Sequence, residues 1–355
     1  MKLKILVIQQ KRIGDVLLGT VLCNQLRKMY PDAQIDYMVY AFTREMAENN
    51  PNIDNIILFQ DSDRKVGNLL KFAWKIRKAR YDIVIDAYTK MDSWVTTRLS
   101  GAKQRISYKK FGRGLYYNIL VDKNSRPASL AGSAIEHRLA LLDPLNKNHI
   151  EYDPYPRLYL TNEEKEKGKK LLDEAGVDPK KKLIVAGIYG SVENKTYPED
   201  YMLEVIKHLL ANYPVQIILN YFPNQKEAAD NFAQKLGYAD RVFSGLTGKS
   251  LRELAWLVTH ADAYIGNDCG HTNLAKALEI PTFTIFSPFI SRESWGIFDD
   301  GIRNLSVHLK DFKPELIQGK AYKLLKQEST ELYREFVPEY VINKLETYLQ
   351  GLNIS

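Results

Sequence analysis

Three short stretches carry residue types that could do chemistry together. The first is Gly266-Asn267-Asp268-Cys269-Gly270-His271, a polar turn between an apolar stretch at 263–265 and a run with helical spacing through Asn273 and Lys276 to Leu278. A helix opening out of a strand leaves backbone N–H groups unpaired at its start and concentrates partial positive charge there, which suits a phosphate. Every strand-to-helix turn has such an end, so this one could equally be a plain connection. The second stretch is Ser191-Val192-Glu193-Asn194-Lys195-Thr196-Tyr197-Pro198, which follows the apolar run 182–186. A lysine at that edge serves phosphate as a point charge, although by itself it is an ordinary solvent lysine. The third is Ile13-Gly14-Asp15-Val16, after the apolar run 3–8. A carboxylate there stands at the strand edge where open α/β sheets bind ligands; it can also do no more than favour the helix dipole.

Two further clusters narrow the chemistry. Lys109, Lys110, Arg113, Tyr116 and Tyr117 interleave basic and aromatic side chains. Such a loop can hold an anionic sugar, a lipid phosphate or a nucleic-acid strand; no nucleic-acid motif accompanies it, so nucleic acid is not an expected partner. His137 stands alone, with no second His or Cys at ligand spacing, and no metal site is expected.

The elements that must position these residues read as two runs of alternating strands and helices. In the first, strands are expected at 3–8, 35–39, 53–59 and 81–86, with a short one ending near Tyr108. An amphipathic helix with a basic outer face is expected over 64–80, most simply as a solvated surface. The first turn lacks the G-x-G-x-x-G fingerprint, which argues against a nicotinamide dinucleotide. Tyr152-Asp153-Pro154-Tyr155-Pro156 reads as a linker. The second run has strands at 182–186, 215–219, 263–265 and 281–286, and an amphipathic helix closes the chain over 333–349. The pattern implies two Rossmann-like α/β domains facing across a cleft.

Length and composition agree with this. A chain of 355 residues with 45% hydrophobic and 26% charged residues can build two soluble domains. Only Cys23 and Cys269 are present, so a disulfide framework is not expected. No apolar run is long enough to span a bilayer, and the protein is expected in the cytoplasm. The net charge of +7 favours phosphorylated or otherwise anionic partners.

Taken in order, the motifs resemble glycosyltransferase family 9, the lipopolysaccharide heptosyltransferases. Ile13-Gly14-Asp15-Val16 is similar to the family's I-G-D-V. Asp82-Ile83-Val84-Ile85-Asp86 with Arg98-Leu99-Ser100-Gly101-Ala102 is similar to D-x-V-I-D and R-x-x-G-A. Lys195-Thr196-Tyr197-Pro198 resembles K-R-W-P, and Asp268-Cys269-Gly270 through Leu278 resembles D-T-G-x-x-H-L-A-A-A-L. The resemblance implies the GT-B arrangement: residues 1–157 binding an acceptor, 158–331 binding a nucleotide-sugar, and 332–355 crossing back onto the first domain. It implies an inverting, metal-independent heptosyl transfer from ADP-heptose to an anionic lipopolysaccharide inner-core acceptor, at the inner face of the inner membrane, without a cofactor. Asp15 would be the general base. Lys195, Ser191, Gln225, Asp268, Cys269, Gly270, His271 and Asn273 would hold the donor, and Lys11, Arg12, Gly14, Arg105, Lys109 and Arg113 the acceptor. This chain departs from the pattern at Cys269 (usually Thr), at Asn273 (usually His), at Lys11-Arg12 (often small serines), and at 223–227, where Gln225 or Glu227 would replace a ribose-binding carboxylate. Two alternatives keep the fold: transfer from another nucleotide-hexose to a surface glycan, or binding of a nucleotide or glycan without turnover.

Overall fold

The computed structural model describes residues 2–10 and 12–354. The chain divides into two compact units, Met1–Tyr159 and Leu160–Ser355, two residues beyond the boundary expected at 157.

The first unit is built on β1 (Lys4–Ile8), β2 (Gln34–Tyr40), β3 (Asn55–Phe59), β4 (Ile83–Asp86), β5 (Gln104–Tyr108) and β6 (Ile119–Val121). They form one sheet in the order β3-β2-β1-β4-β5-β6, with parallel neighbours throughout. Ile5, Leu6, Val7 and Ile8 are fully buried, as a strand covered by helices on both faces requires. The helix Ile13–Met29 leaves β1 and buries more than one face, from Val16 through Cys23 and on to Leu26. Gly19 makes this approach possible: a Cβ there would lie 2.2 Å from the Tyr37 hydroxyl, which donates to the Val16 carbonyl at 2.7 Å.

The second unit repeats the plan with β7 (Lys182–Gly187), β8 (Val215–Asn220), β9 (Val242–Phe243), β10 (Ala263–Asn267), β11 (Thr282–Ile285) and β12 (Asn304–Val307). Its order is β12-β11-β10-β7-β8-β9, again parallel throughout. In each unit the order reverses beside the first strand, between β1 and β4 or between β7 and β10. Open α/β sheets bind ligands at the carboxyl ends of the strands flanking such a reversal. At the second reversal Gly187 and Gly266 are register partners, and a Cβ on Gly266 would meet the Gly187 carbonyl oxygen at 2.4 Å. The two strand ends therefore run closer than side chains would permit.

The closing segment is broken where one helix over 333–349 was expected. Two helices form, Ser329–Arg334 and Pro338–Gly351, with Pro338 opening the second. Within the second unit, Val341, Leu345, Tyr348 and Leu349 join the core of Val205, Leu209 and Phe283. Polar anchors agree with that placement, since the Tyr348 hydroxyl donates to the Arg303 carbonyl at 3.0 Å. No helix among the described residues is long and apolar enough to cross a membrane.

Candidate functional site

In the second unit, the loop after β7 and the turn after β10 meet at the sheet reversal. Lys195 Nζ lies 3.3 Å from Asp268 Oδ2. Burial raises the Asp268 carboxyl, and the Lys195 ammonium opposes that rise. Asn267, fully buried, fastens the two segments. Its Oδ1 accepts from the Tyr197 N–H at 2.7 Å, and its Nδ2 donates to the Gly187 and Ile188 carbonyls at 3.1 and 3.2 Å. Lys195 is held from the other side as well, because the Ser287 and Ser329 hydroxyls both donate to the Asn194 carbonyl at 2.8 Å.

The helix after this turn runs Gly270–Ala277, with Cys269 as an extended N-cap that makes no side-chain capping hydrogen bond. Serine or threonine normally fills that place with an oxygen acceptor. Cys269 instead presents a buried thiol, raised by burial and opposed by the Thr272 and His271 N–H groups. The first N–H groups of the helix are left without an oxygen cap, in the condition that suits an anion. Lys276, one position that family resemblance would make alanine, donates to the Ile297 carbonyl at 2.6 Å and is brought down by burial to about 8.

The two flanks of the reversal differ. Toward β8, His271 is 4% exposed and is lowered by burial to about 4. It takes a hydrogen bond from Asn220 Nδ2 at 2.9 Å on Nδ1, and it packs against Phe222 with ring centroids 4.7 Å apart. Gln225 is used internally: its Oε1 accepts from the Phe222 N–H at 2.9 Å and its Nε2 donates to the Gly190 carbonyl at 3.2 Å. Gln225 thereby braces the loops after β7 and β8. Asn273 is buried in the helix, and Ser191 is exposed on its loop. Toward β11 and β12 a cavity of about 760 Å³ opens, with Lys195 in one wall and Phe289, Arg292, Trp295, Lys310 and Tyr322 among the others.

In the first unit, Asp15 stands in the first turn of the helix after β1. Its Oδ1 accepts from Arg138 Nη2 at 3.0 Å, with 12% and 9% of the two side chains exposed. Arg138 comes from the helix Ser133–Ala140 and also donates to the Ala134 carbonyl. Gly14 is buried and Arg12 exposed; Lys11 lies outside the described residues. Asp86, at the end of β4, is fully buried and raised by burial. It accepts from the Tyr117 hydroxyl at 2.5 Å and from the Tyr88 and Thr89 N–H groups, so it shapes its loop.

The expected acceptor residues separate into two kinds. Arg105 donates to the Tyr116 and Ala102 carbonyls at 3.0 and 2.7 Å, and its charge braces a loop. Arg113 is tied to the Tyr108 carbonyl at 3.1 Å and lies over the Trp94 ring at 5.9 Å. Lys109 is exposed. Three residues important to these edges carry no signal of their own in the sequence: Arg138, Asn220 and Asn267. Only Asn267, adjacent to Asp268, sits within a motif.

Comparison with known proteins gives a consistent family. Residues 69–320 match the model of glycosyltransferase family 9 (heptosyltransferase); Lys195 and Asp268 fall inside the match and Asp15 before it. The chain is 27% identical over 304 residues to lipopolysaccharide heptosyltransferase 1 of Campylobacter coli, covering 80% of this chain and 84% of that one. Among solved structures, the family 9 glycosyl transferase of Veillonella parvula DSM 2008 superposes with a TM-score of 0.82 at 20% identity, over 100% of this chain and 99% of that one. The E. coli heptosyltransferase WaaC with ADP-2-deoxy-2-fluoro heptose superposes with a TM-score of 0.66 at 18% identity, over 95% and 100%. Two Rossmann-like units of the GT-B class thus recur in the solved relatives, and the chain belongs to glycosyltransferase family 9, the heptosyltransferase family.

Proposed function

We propose that this glycosyltransferase moves heptose from ADP-heptose to an anionic, lipid-linked or phosphorylated sugar of the lipopolysaccharide inner core. The observation that carries the donor half is the Lys195–Asp268 pair beside the helix start at Gly270, which has no oxygen cap. The helix N–H groups and Lys195 would hold the diphosphate and offset the charge that grows on it as it leaves. Asp268 repels phosphate, so its role is with the sugar hydroxyls. The solved relative with an ADP-heptose analogue supports the same nucleotide and sugar.

Transfer joins the acceptor oxygen to the anomeric carbon and breaks the bond from that carbon to the β-phosphate oxygen, so ADP departs with the bond's electrons. Attack from the face opposite the leaving group inverts the carbon. The hydroxyl proton passes to Asp15 as general base, whose other role, holding Arg138, keeps its carboxylate oriented. The basic side chains Arg12, Lys109 and Arg113 suit an acidic acceptor, with Lys11 next to Arg12 in sequence.

The test is transfer from ADP-heptose to lipopolysaccharide truncated before its first heptose, followed by mass spectrometry of the lipid and by ADP release. One added heptose with equimolar ADP is expected. ADP binding without transfer or release would indicate a non-catalytic binder, and transfer only from another nucleotide-hexose would replace heptose as the sugar moved.

A further inference from the structure

The net charge of the chain has a location. Residues 64–80 carry seven Lys and Arg side chains and no Asp or Glu, against a net +7 for the whole chain. Most of them lie on the helix Val66–Ala79, which buries Leu69, Phe72, Ala73 and Ile76 against its own unit. Its outer side is not simply polar. Val66, Leu70 and Trp74 are 76%, 51% and 58% exposed, and their i, i+4, i+8 spacing sets them in one row. Lys71, Lys75 and Lys78, all exposed, form the adjoining row, and Lys78 Nζ rests 3.5 Å from the Trp74 ring centre. Two basic residues of the stretch are partly engaged elsewhere: Arg64 with Tyr40, Tyr88 and Asp92, and Arg77 with the Leu99 carbonyl at 3.3 Å.

An exposed apolar row containing tryptophan beside a row of lysines is costly in water and has one well-matched environment. At a bilayer surface the apolar row enters the boundary between headgroups and acyl chains, the indole sits at headgroup level, and the lysines meet anionic lipid. A soluble protein partner would supply apolar surface but gives no reason for the complete absence of acids over 64–80. We infer that the outer face of this helix docks the enzyme on an anionic membrane through Val66, Leu70 and Trp74, with Lys71, Lys75 and Lys78 supplying the attraction. This extends the proposed function to the surface that would carry a lipid-linked acceptor, and its test needs no turnover.

The full chain is sedimented with vesicles of phosphatidylcholine containing one-quarter phosphatidylglycerol, and with vesicles of phosphatidylcholine alone. Binding to the anionic vesicles only, weakened by salt, is expected. Replacing Lys71, Lys75 and Lys78 together by alanine should lower the partition coefficient about a hundredfold, at about fivefold per lysine. Brominated lipid should quench the tryptophan fluorescence of the unmodified protein, and Trp74→Phe should remove that quenching. Thermal stabilisation by ADP, read on the same variants, reports that they are folded and bears separately on the donor reading. Equal binding to both vesicles, unchanged partition of the triple variant, quenching that persists in Trp74→Phe, or single-stranded RNA held by the same lysines more tightly than the vesicles would each overturn the inference.

Discussion

Asp15 and Lys195 are asked to do different things, and substitution separates them. A general base contributes about 10²- to 10⁴-fold to rate, so Asp15→Asn should lower kcat by that order while calorimetry finds ADP affinity unchanged. Equal loss of ADP binding would make Asp15 structural. Arg138 fixes one Asp15 oxygen at 3.0 Å; lysine keeps the charge and loses the planar fork. Arg138→Lys should reduce kcat about tenfold, a change of about 1.4 kcal/mol in the barrier, with KM for the donor unmoved. At the other edge, the proposed function makes Lys195 a phosphate ligand, so Lys195→Ala should weaken ADP about 10- to 100-fold. Asp268→Asn should act in the opposite direction on ADP, because it frees Lys195 and withdraws a negative charge, and yet it should impair transfer by losing a contact to the sugar. Weaker ADP binding by that variant would contradict the division of labour between Lys195 on phosphate and Asp268 on sugar. Asp15, Lys195 and Asp268 were legible because family-like motifs surround them. Arg138 was not: it lies 123 residues from Asp15, and only folding reveals the pair.

Among elements, the loop after β7 and the turn after β10 act as one piece because Asn267 joins them. Asn267→Ala would leave the Tyr197 N–H and the Gly187 and Ile188 carbonyls without their partner in a buried site, at about 1–3 kcal/mol for each group left unsatisfied. Chemical denaturation should show the loss, and ADP affinity should fall with it because Lys195 is no longer held. The helix after β10 carries a pH dependence. Burial lowers His271 in the folded chain to about 4 from its ordinary value of 6.5, so the unfolded state binds the proton more readily. Stability is then full above about pH 6.5 and falls as the pH drops toward 4, by about 2 kcal/mol at pH 5 for this residue. His271→Gln should flatten that part of the urea-midpoint profile; an unchanged slope would contradict the buried, neutral histidine. Strong strands such as β1 and β7 were readable as apolar runs, and β8 as one interrupted only by Gln216. The short edge strands β6, β9 and β12 were not, because three residues at Ile119–Val121 and two at Val242–Phe243 carry too little pattern, and pairing with a neighbour decides them. The C-terminal stripe was seen, but its partner was not: an apolar face specifies burial without specifying against which surface.

At the scale of the molecule, two units with the same strand order place the residues of the proposed function on equivalent edges: Asp15 follows β1 in one, Lys195 follows β7 and Asp268 follows β10 in the other. The duplication of the Rossmann plan was visible from alternating strands and helices around the linker at 152–156. The chemistry of the edges was less visible, because charge in a sequence does not show whether it faces ligand or protein: Arg105 and Gln225 bind their own backbone, whereas the basic helix at 66–79 is exposed. The claim on which the rest depends is that the second unit is built for a nucleoside diphosphate, and for ADP in particular. Titration calorimetry of the full chain with ADP, UDP, GDP and CMP tests it directly. ADP is expected to bind, and to bind more tightly than the other three. Preference for UDP or GDP, or no binding of any of the four, would contradict it.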